Sequence, residues 1–310
     1  MIDRALANGV RVSAWTFDEL YGRDGKFLDG LEDRGQVFVG EIPVDFHGWS
    51  RKPKVLHEGP ENTGPGRPKS YPRLAVGSHS SEVRNLAKHS PVFRKQTWQR
   101  YRIKDTDKGP EVWEVKWAAF WRKDANGFPT RRHCLIVARN VLTGEVKYFL
   151  ANRVPGERNP ITGKNVTLRW LLRVAFGRWS IENCFRQAKE ELGMDHYEVR
   201  GWRCVRRHFF VTQLSHLFCA RMRQEYDDSS VDRMSVEQIR SAMNTWLDTI
   251  DLPPSARHQR FEEELQKQRY YQRRNQQART SHTKTRLKRF STLGINLDKI
   301  KSCLPDTNEP

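Results

Sequence analysis

The chain has 310 residues, 37% hydrophobic and 30% charged, with 55 Lys and Arg against 37 Asp and Glu for a net charge of +18. No run approaches about 18 consecutive apolar residues, which excludes a membrane-spanning helix, and MIDRALANGVRV lacks the basic start and apolar stretch of a signal peptide. The charge excess asks for a polyanionic partner, nucleic acid first, while five scattered cysteines without CxxC and ten histidines without HExxH fit a reducing compartment and give a zinc site no support.

In chain order, residues 2–8 read as the end of a helix capped by Gly9, followed by a strand over Val10–Trp15 that leads into TFDELYGRDGKF. A short helix over Lys26–Asp33, a stop at Gly35 and a strand over Val37–Ile42 continue an α/β pattern. Asp18 follows the first strand, where a carboxylate serves equally as a helix N-cap. From Asp45 to about Arg153 the pattern turns β-rich. HEGPENTGPGRPKSYPR, residues 57–73, carries four prolines in a Gly-rich stretch and reads as an irregular, exposed loop. Trp113, Val115, Trp117, Ala119 and Trp121 alternate on one strand face, with a helix as the rival reading because the tryptophans are also four apart. The turn KDANG and the β-branched run HCLIVAR favour a hairpin, and a second turn at Thr143–Gly144 precedes VKYFLAN. The tryptophans suit a core, or one of them a stack on an unpaired base.

From Asn165 onward the periodicity is helical. Two segments cover Leu168–Phe176 and Gly177–Leu192, and VRRHFFVTQLSHLFCARMR has the broad apolar face of a buried helix. Within the second segment Arg178, Glu182 and Lys189 stand at offsets of 0, 4 and 11, within about 40° of one another on a helical wheel. Ile181, Phe185, Ala188 and Leu192 form an apolar stripe beside them. A carboxylate between two cations suits a metal and a phosphate, and a surface ion pair between Arg178 and Glu182 has the same spacing. Residues 269–289 hold eight basic residues and no acidic one, interleaved with Tyr270 and Tyr271. This stretch reads either as a solvated arm or as one lying along a phosphate backbone, with Arg273, Arg274, Lys288 and Arg289 as its contacts.

Together these residues resemble the DDE transposases of bacterial insertion sequences, in the branch whose glutamate lies in a Tyr-Arg-Glu-Lys signature. Arg178, Glu182 and Lys189 match its spacing, KEELGMDHYEVRGWRCVRRH continues in the same manner, and TFDELYGRDGKFLDGLEDRGQVFVGEIP resembles the segment bearing the second catalytic aspartate, here Asp18. The signature's Tyr would fall at Ala175, a departure. The resemblance implies an α/β, RNase H-like fold with a mixed sheet flanked by helices, a β-rich insertion and a C-terminal helical, basic tail. Its parts would be core at 1–44, insertion at 45–153, the helical remainder of the core at 154–225 and a basic arm at 226–310. It also implies two Mg²⁺ or Mn²⁺ ions held by carboxylates, Asp18 and Glu182 among them, with Arg178 and Lys189 on DNA phosphates. Double-stranded DNA would be the partner, both transposon ends and target, bound by a homodimer in the bacterial cytoplasm at the nucleoid. Only 17 residues precede Asp18, too few for the family's first aspartate, so the sequence reads as a transposase lacking its N-terminal part. The alternative is an inactive, transposase-derived DNA-binding protein. An RNA-binding protein is disfavoured, since no RNP1 or KH-type GXXG signature stands out.

Overall fold

The computed structural model describes residues 1–59, 70–227 and 235–304. The chain divides into two compact units, one of residues 1–178 with 283–310 and one of residues 179–282.

The first unit opens with α1 (Ile2–Ala7), α2 (Glu19–Gly22) and α3 (Gly25–Asp33), followed by β1 (Val39–Ile42) and β2 (His47–Trp49). Two short strands, β3 (Val55–Leu56) and β4 (Arg73–Leu74), pair with each other. The middle of the loop expected at 57–73, residues 60–69, lies outside the described residues. Next come β5 (Ser81–Glu82), α4 (Val83–His89), α5 (Pro91–Arg94), β6 (Gln99–Thr106), β7 (Gly109–Lys123), β8 (Pro129–Asn140), β9 (Val146–Ala151) and α6 (Leu168–Gly177).

These strands build one mixed sheet in the order β1–β9–β8–β7–β2–β5, with β6 pairing with another stretch of β7. Helices cover both faces, as the α/β expectation requires. CLIVA in β8 explains why. Cys134, Ile136 and Ala138 point to one face with Leu171, Leu172 and Ala175 of α6. Leu135 and Val137 point to the other, with Leu28 and Leu31 of α3, Val83 of α4 and Phe93 of α5. A strand buried on both sides reads as a continuous apolar run rather than an alternating one. The tryptophan segment is strand β7, not a helix, and Trp113 is buried in the α6-side core. Because β9 pairs with β1 through Val39↔Ala151 to Ile42↔Tyr148, the strands of residues 45–153 continue the sheet that β1 begins.

The expected strand at Val10–Trp15 is corrected to a single parallel bridge between Trp15 and Phe38. The Val10 N–H instead donates to the Ala5 carbonyl (3.0 Å), so this end of the segment is spent in finishing α1.

Residues 283–304 complete the same unit. Phe290 is buried with Val112 and Ile295. One Arg286 guanidinium nitrogen donates to the carbonyls of Gly109 (3.1 Å) and Pro110 (3.3 Å). After a 3-10 turn at Leu297–Lys299, β10 (Lys301–Ser302) pairs in parallel with β6, and the Cys303 N–H donates to the Arg102 carbonyl (2.8 Å). Burial pushes the Cys303 thiol up to about 11, so it stays protonated as a small apolar group.

The second unit contains α7 (Trp179–Glu190), α8 (Trp202–Asp227), α9 (Val236–Asp248) and α10 (Pro254–Thr292) as far as His282. Ser235 and Gln238 form a capping box at the start of α9. Its core gathers Cys219, Val236 and Ile239 with Leu192, Met222 and Met243. One expectation is corrected here. α8 is not a buried helix: Phe210, Leu214 and Leu217 are exposed, and the apolar residues that suggested burial lie mostly in solvent. The basic stretch at 269–289 is helix within α10, in keeping with the helical, basic tail expected there, since it holds neither Gly nor Pro and is rich in Arg, Gln and Lys.

Candidate functional site

Asp18 stands where a short extended segment gives way to a helix. The Trp15 N–H donates to the Val37 carbonyl (2.8 Å), the Val39 N–H to that of Trp15 (2.9 Å) and the Glu41 N–H to that of Phe17 (3.1 Å). Residues 15–17 thus run parallel to the start of β1, and Asp18 follows at their carboxyl end, the position where open α/β sheets place ligands. Its carboxylate caps α2, accepting a long hydrogen bond from the Tyr21 N–H (3.4 Å). The cap role is therefore real, and the single weak bond leaves further oxygen lone pairs for a cation.

Close backbone contacts fix this corner. Gly40 lies under the Phe17 ring, and Gly22 lies against the Glu41 carbonyl, so a Cβ at either position would collide. Gly22→Ala is expected to lift α2 from β1 and to cost about 1–3 kcal/mol. A thermal melt checks this, and an unchanged melting temperature would mean that α2 moves freely. Phe17 and Phe27 meet edge to face at 5.1 Å, with Tyr21 5.2 Å from Phe27. These rings line a cavity of about 570 Å³ together with Ile2 and Trp15.

α3 is held against the sheet by a buried polar network that the sequence did not announce. His133 on β8 is fully buried, with Nε2 2.6 Å from a Glu32 carboxylate oxygen and Nδ1 2.8 Å from the Arg131 carbonyl. Both ring nitrogens face acceptor oxygens. Burial works against ionisation of Glu32, but the His133 hydrogen bond and the charges of His133, Arg122 and Arg131 outweigh it and hold the carboxyl below its ordinary range. Arg122, also buried, pairs with Asp29 one turn earlier on α3. The available signal was the polar RRH entering an apolar strand.

The other expected site residues divide between the units. Arg178 sits at the C-cap of α6 with helical backbone angles, in the first unit. Glu182 in the first turn of α7 and Lys189 in its last belong to the second, and the helix expected over 177–192 is observed as α7. Glu182 and Lys189 are exposed and lie on one side of α7, about 10 Å apart along its axis. Of the apolar stripe beside them, Ala188 is buried whereas Ile181 and Phe185 are exposed. Arg273, Arg274, Lys288 and Arg289 are exposed on α10, and the Arg274 guanidinium lies 5.9 Å from the Tyr270 ring. Among the described residues no three His, Cys, Asp or Glu side chains are grouped to hold a metal ion. No described helix is long and apolar enough to cross a membrane.

Residues 1–110 match the family described as DDE superfamily endonuclease, a match that includes Asp18 and ends at the start of β7, before Glu182. The chain matches no curated protein. The similarity over these residues is to a nuclease family, and it falls on a mixed sheet flanked by helices.

Proposed function

We propose that this chain belongs to a DDE-type transposase that cuts and joins the DNA of an insertion sequence, acting on double-stranded DNA as a homodimer. The observation that carries the reading is Asp18, a half-buried carboxylate at the end of a parallel strand segment inside the stretch that matches the endonuclease family. Hard carboxylate oxygens suit Mg²⁺ or Mn²⁺, and Asp18 and Glu182 would hold such ions. Bound there, a divalent ion supplies Lewis acidity at phosphorus and an activated water or 3′-hydroxyl. Arg178 and Lys189 would hold phosphates beside Glu182, and Arg273, Arg274, Lys288 and Arg289 would take backbone phosphates further along.

The test follows, in cells, movement of the whole element in which this coding sequence lies, with any in-frame upstream sequence retained. Asp18→Asn and Glu182→Gln are each expected to lower it about a thousandfold, while the purified variants bind duplex DNA as before. Movement at the unaltered frequency in either variant would overturn the assignment. Arg273→Ala and Arg274→Ala should each reduce the salt slope of duplex binding by about one. Substitution is the right form of this test, because truncating the chain from residue 269 onward would also remove Phe290 and Cys303 from the core. A second reading, a DNA-binding protein that occupies element ends without cutting, draws support from the lack of a three-ligand group among the described residues.

A further inference from the structure

The start of α8 carries an arrangement that the catalytic reading does not use. Arg200, Arg203, Arg206 and Arg207 surround Trp202, and among the described residues none of these arginines pairs with a carboxylate. No acidic residue appears from Val199 until Glu225. Trp202 is 75% exposed and Phe210, two turns on, is 62% exposed. The Arg206 guanidinium lies 5.9 Å from the Phe210 ring. On the helix Trp202, Arg203, Arg206, Arg207 and Phe210 fall within about 140° of arc, so the charges and the rings share one side.

Two requirements narrow the partner. Four unpaired guanidinium groups demand a polyanion. An exposed indole has one N–H donor and a wide apolar face, which only another flat apolar surface covers well. Duplex DNA offers phosphates and base edges but keeps its base faces stacked inside. A strand with unpaired bases offers phosphates and open faces together. We propose that the beginning of α8 binds DNA at unpaired bases, with Trp202 stacked on one base and Arg203, Arg206 and Arg207 on the flanking phosphates. The proposal rests on the reading of the chain as a DNA-processing protein and adds a preference which that reading does not require.

The experiment measures binding of the full chain, by fluorescence anisotropy, to a labelled duplex and to the same duplex with a central unpaired bubble. The bubble is expected to bind about tenfold more tightly, and Trp202→Ala should erase that advantage while changing duplex affinity less than about twofold. Trp202→Phe should recover most of it, and Arg203→Ala with Arg206→Ala should weaken both substrates and flatten the salt dependence. Trp202→Ala behaving like the unaltered chain on both substrates overturns this inference and leaves the proposed function standing. Anionic lipid vesicles competing with the bubble in a Trp202-dependent way also overturn it, in favour of a membrane surface. No binding to either DNA overturns both readings.

Discussion

Purified as the 310-residue chain and incubated with supercoiled plasmid and Mg²⁺ or Mn²⁺, the protein is expected to bind the DNA and leave it unnicked. On the proposed reading Asp18 and Glu182 are two donors, and among the described residues no three His, Cys, Asp or Glu side chains are grouped as a metal site. Two carboxylates can hold a divalent ion loosely, but in-line attack at phosphorus tolerates little misplacement, so a missing donor costs orders of magnitude in rate. Calorimetric titration with Mn²⁺ gives a readout that does not need activity: weak binding, weakened further by Asp18→Asn. Metal-dependent nicking by this chain, lost on Asp18→Asn or Glu182→Gln, would show that a further ligand completes the site from within it.

Glu32→Gln is expected to destabilise the first unit by about 3 kcal/mol at neutral pH, because it removes the carboxylate facing a buried imidazole. For a unit of this size, that lowers the melting temperature by on the order of 10 °C. The pH dependence has a definite sign. The folded Glu32 titrates below the 4.5 of an ordinary glutamate, so the unfolded chain takes up its proton first as acid is added. The contribution of the carboxylate is therefore complete above about 4.5 and is lost as pH falls through the lowered folded value. Melting curves of the two proteins should converge on acidification. A gap as wide at pH 3 as at pH 7 would mean that the Gln variant suffers from packing rather than from lost charge.

How much of this was legible in the sequence depended on whether a signal was local. β7 and β8 could be read from β-branched and aromatic alternation and from the turns around them, and α3 from its stop at Gly35, because neighbouring residues decide those. The parallel bridge at Trp15 was overstated as a strand, since apolar residues 10–15 say nothing about the partner available to them. α8 failed in the opposite direction: a broad apolar face indicates that burial is wanted, not that a neighbour supplies it. The His133–Glu32 pair joins residues 101 apart, and no spacing rule reaches across that separation. The capping role of Asp18 was legible because a carboxylate directly after an extended run is a local pattern, whereas its proposed site role came from the resemblance of its segment.

The parallel pairing of β10 with β6 places residues 301 and 302 against residues 101 and 102. On the ribosome, β6 is made about two hundred residues before the strand that covers its edge. At roughly 5–20 residues per second that interval is on the order of ten to forty seconds. Throughout it, β6 presents unpaired backbone groups that other nascent chains can recognise. A chaperone that shields extended segments during synthesis should therefore raise the yield of soluble protein more than one supplied after release, and slowing translation should lower it.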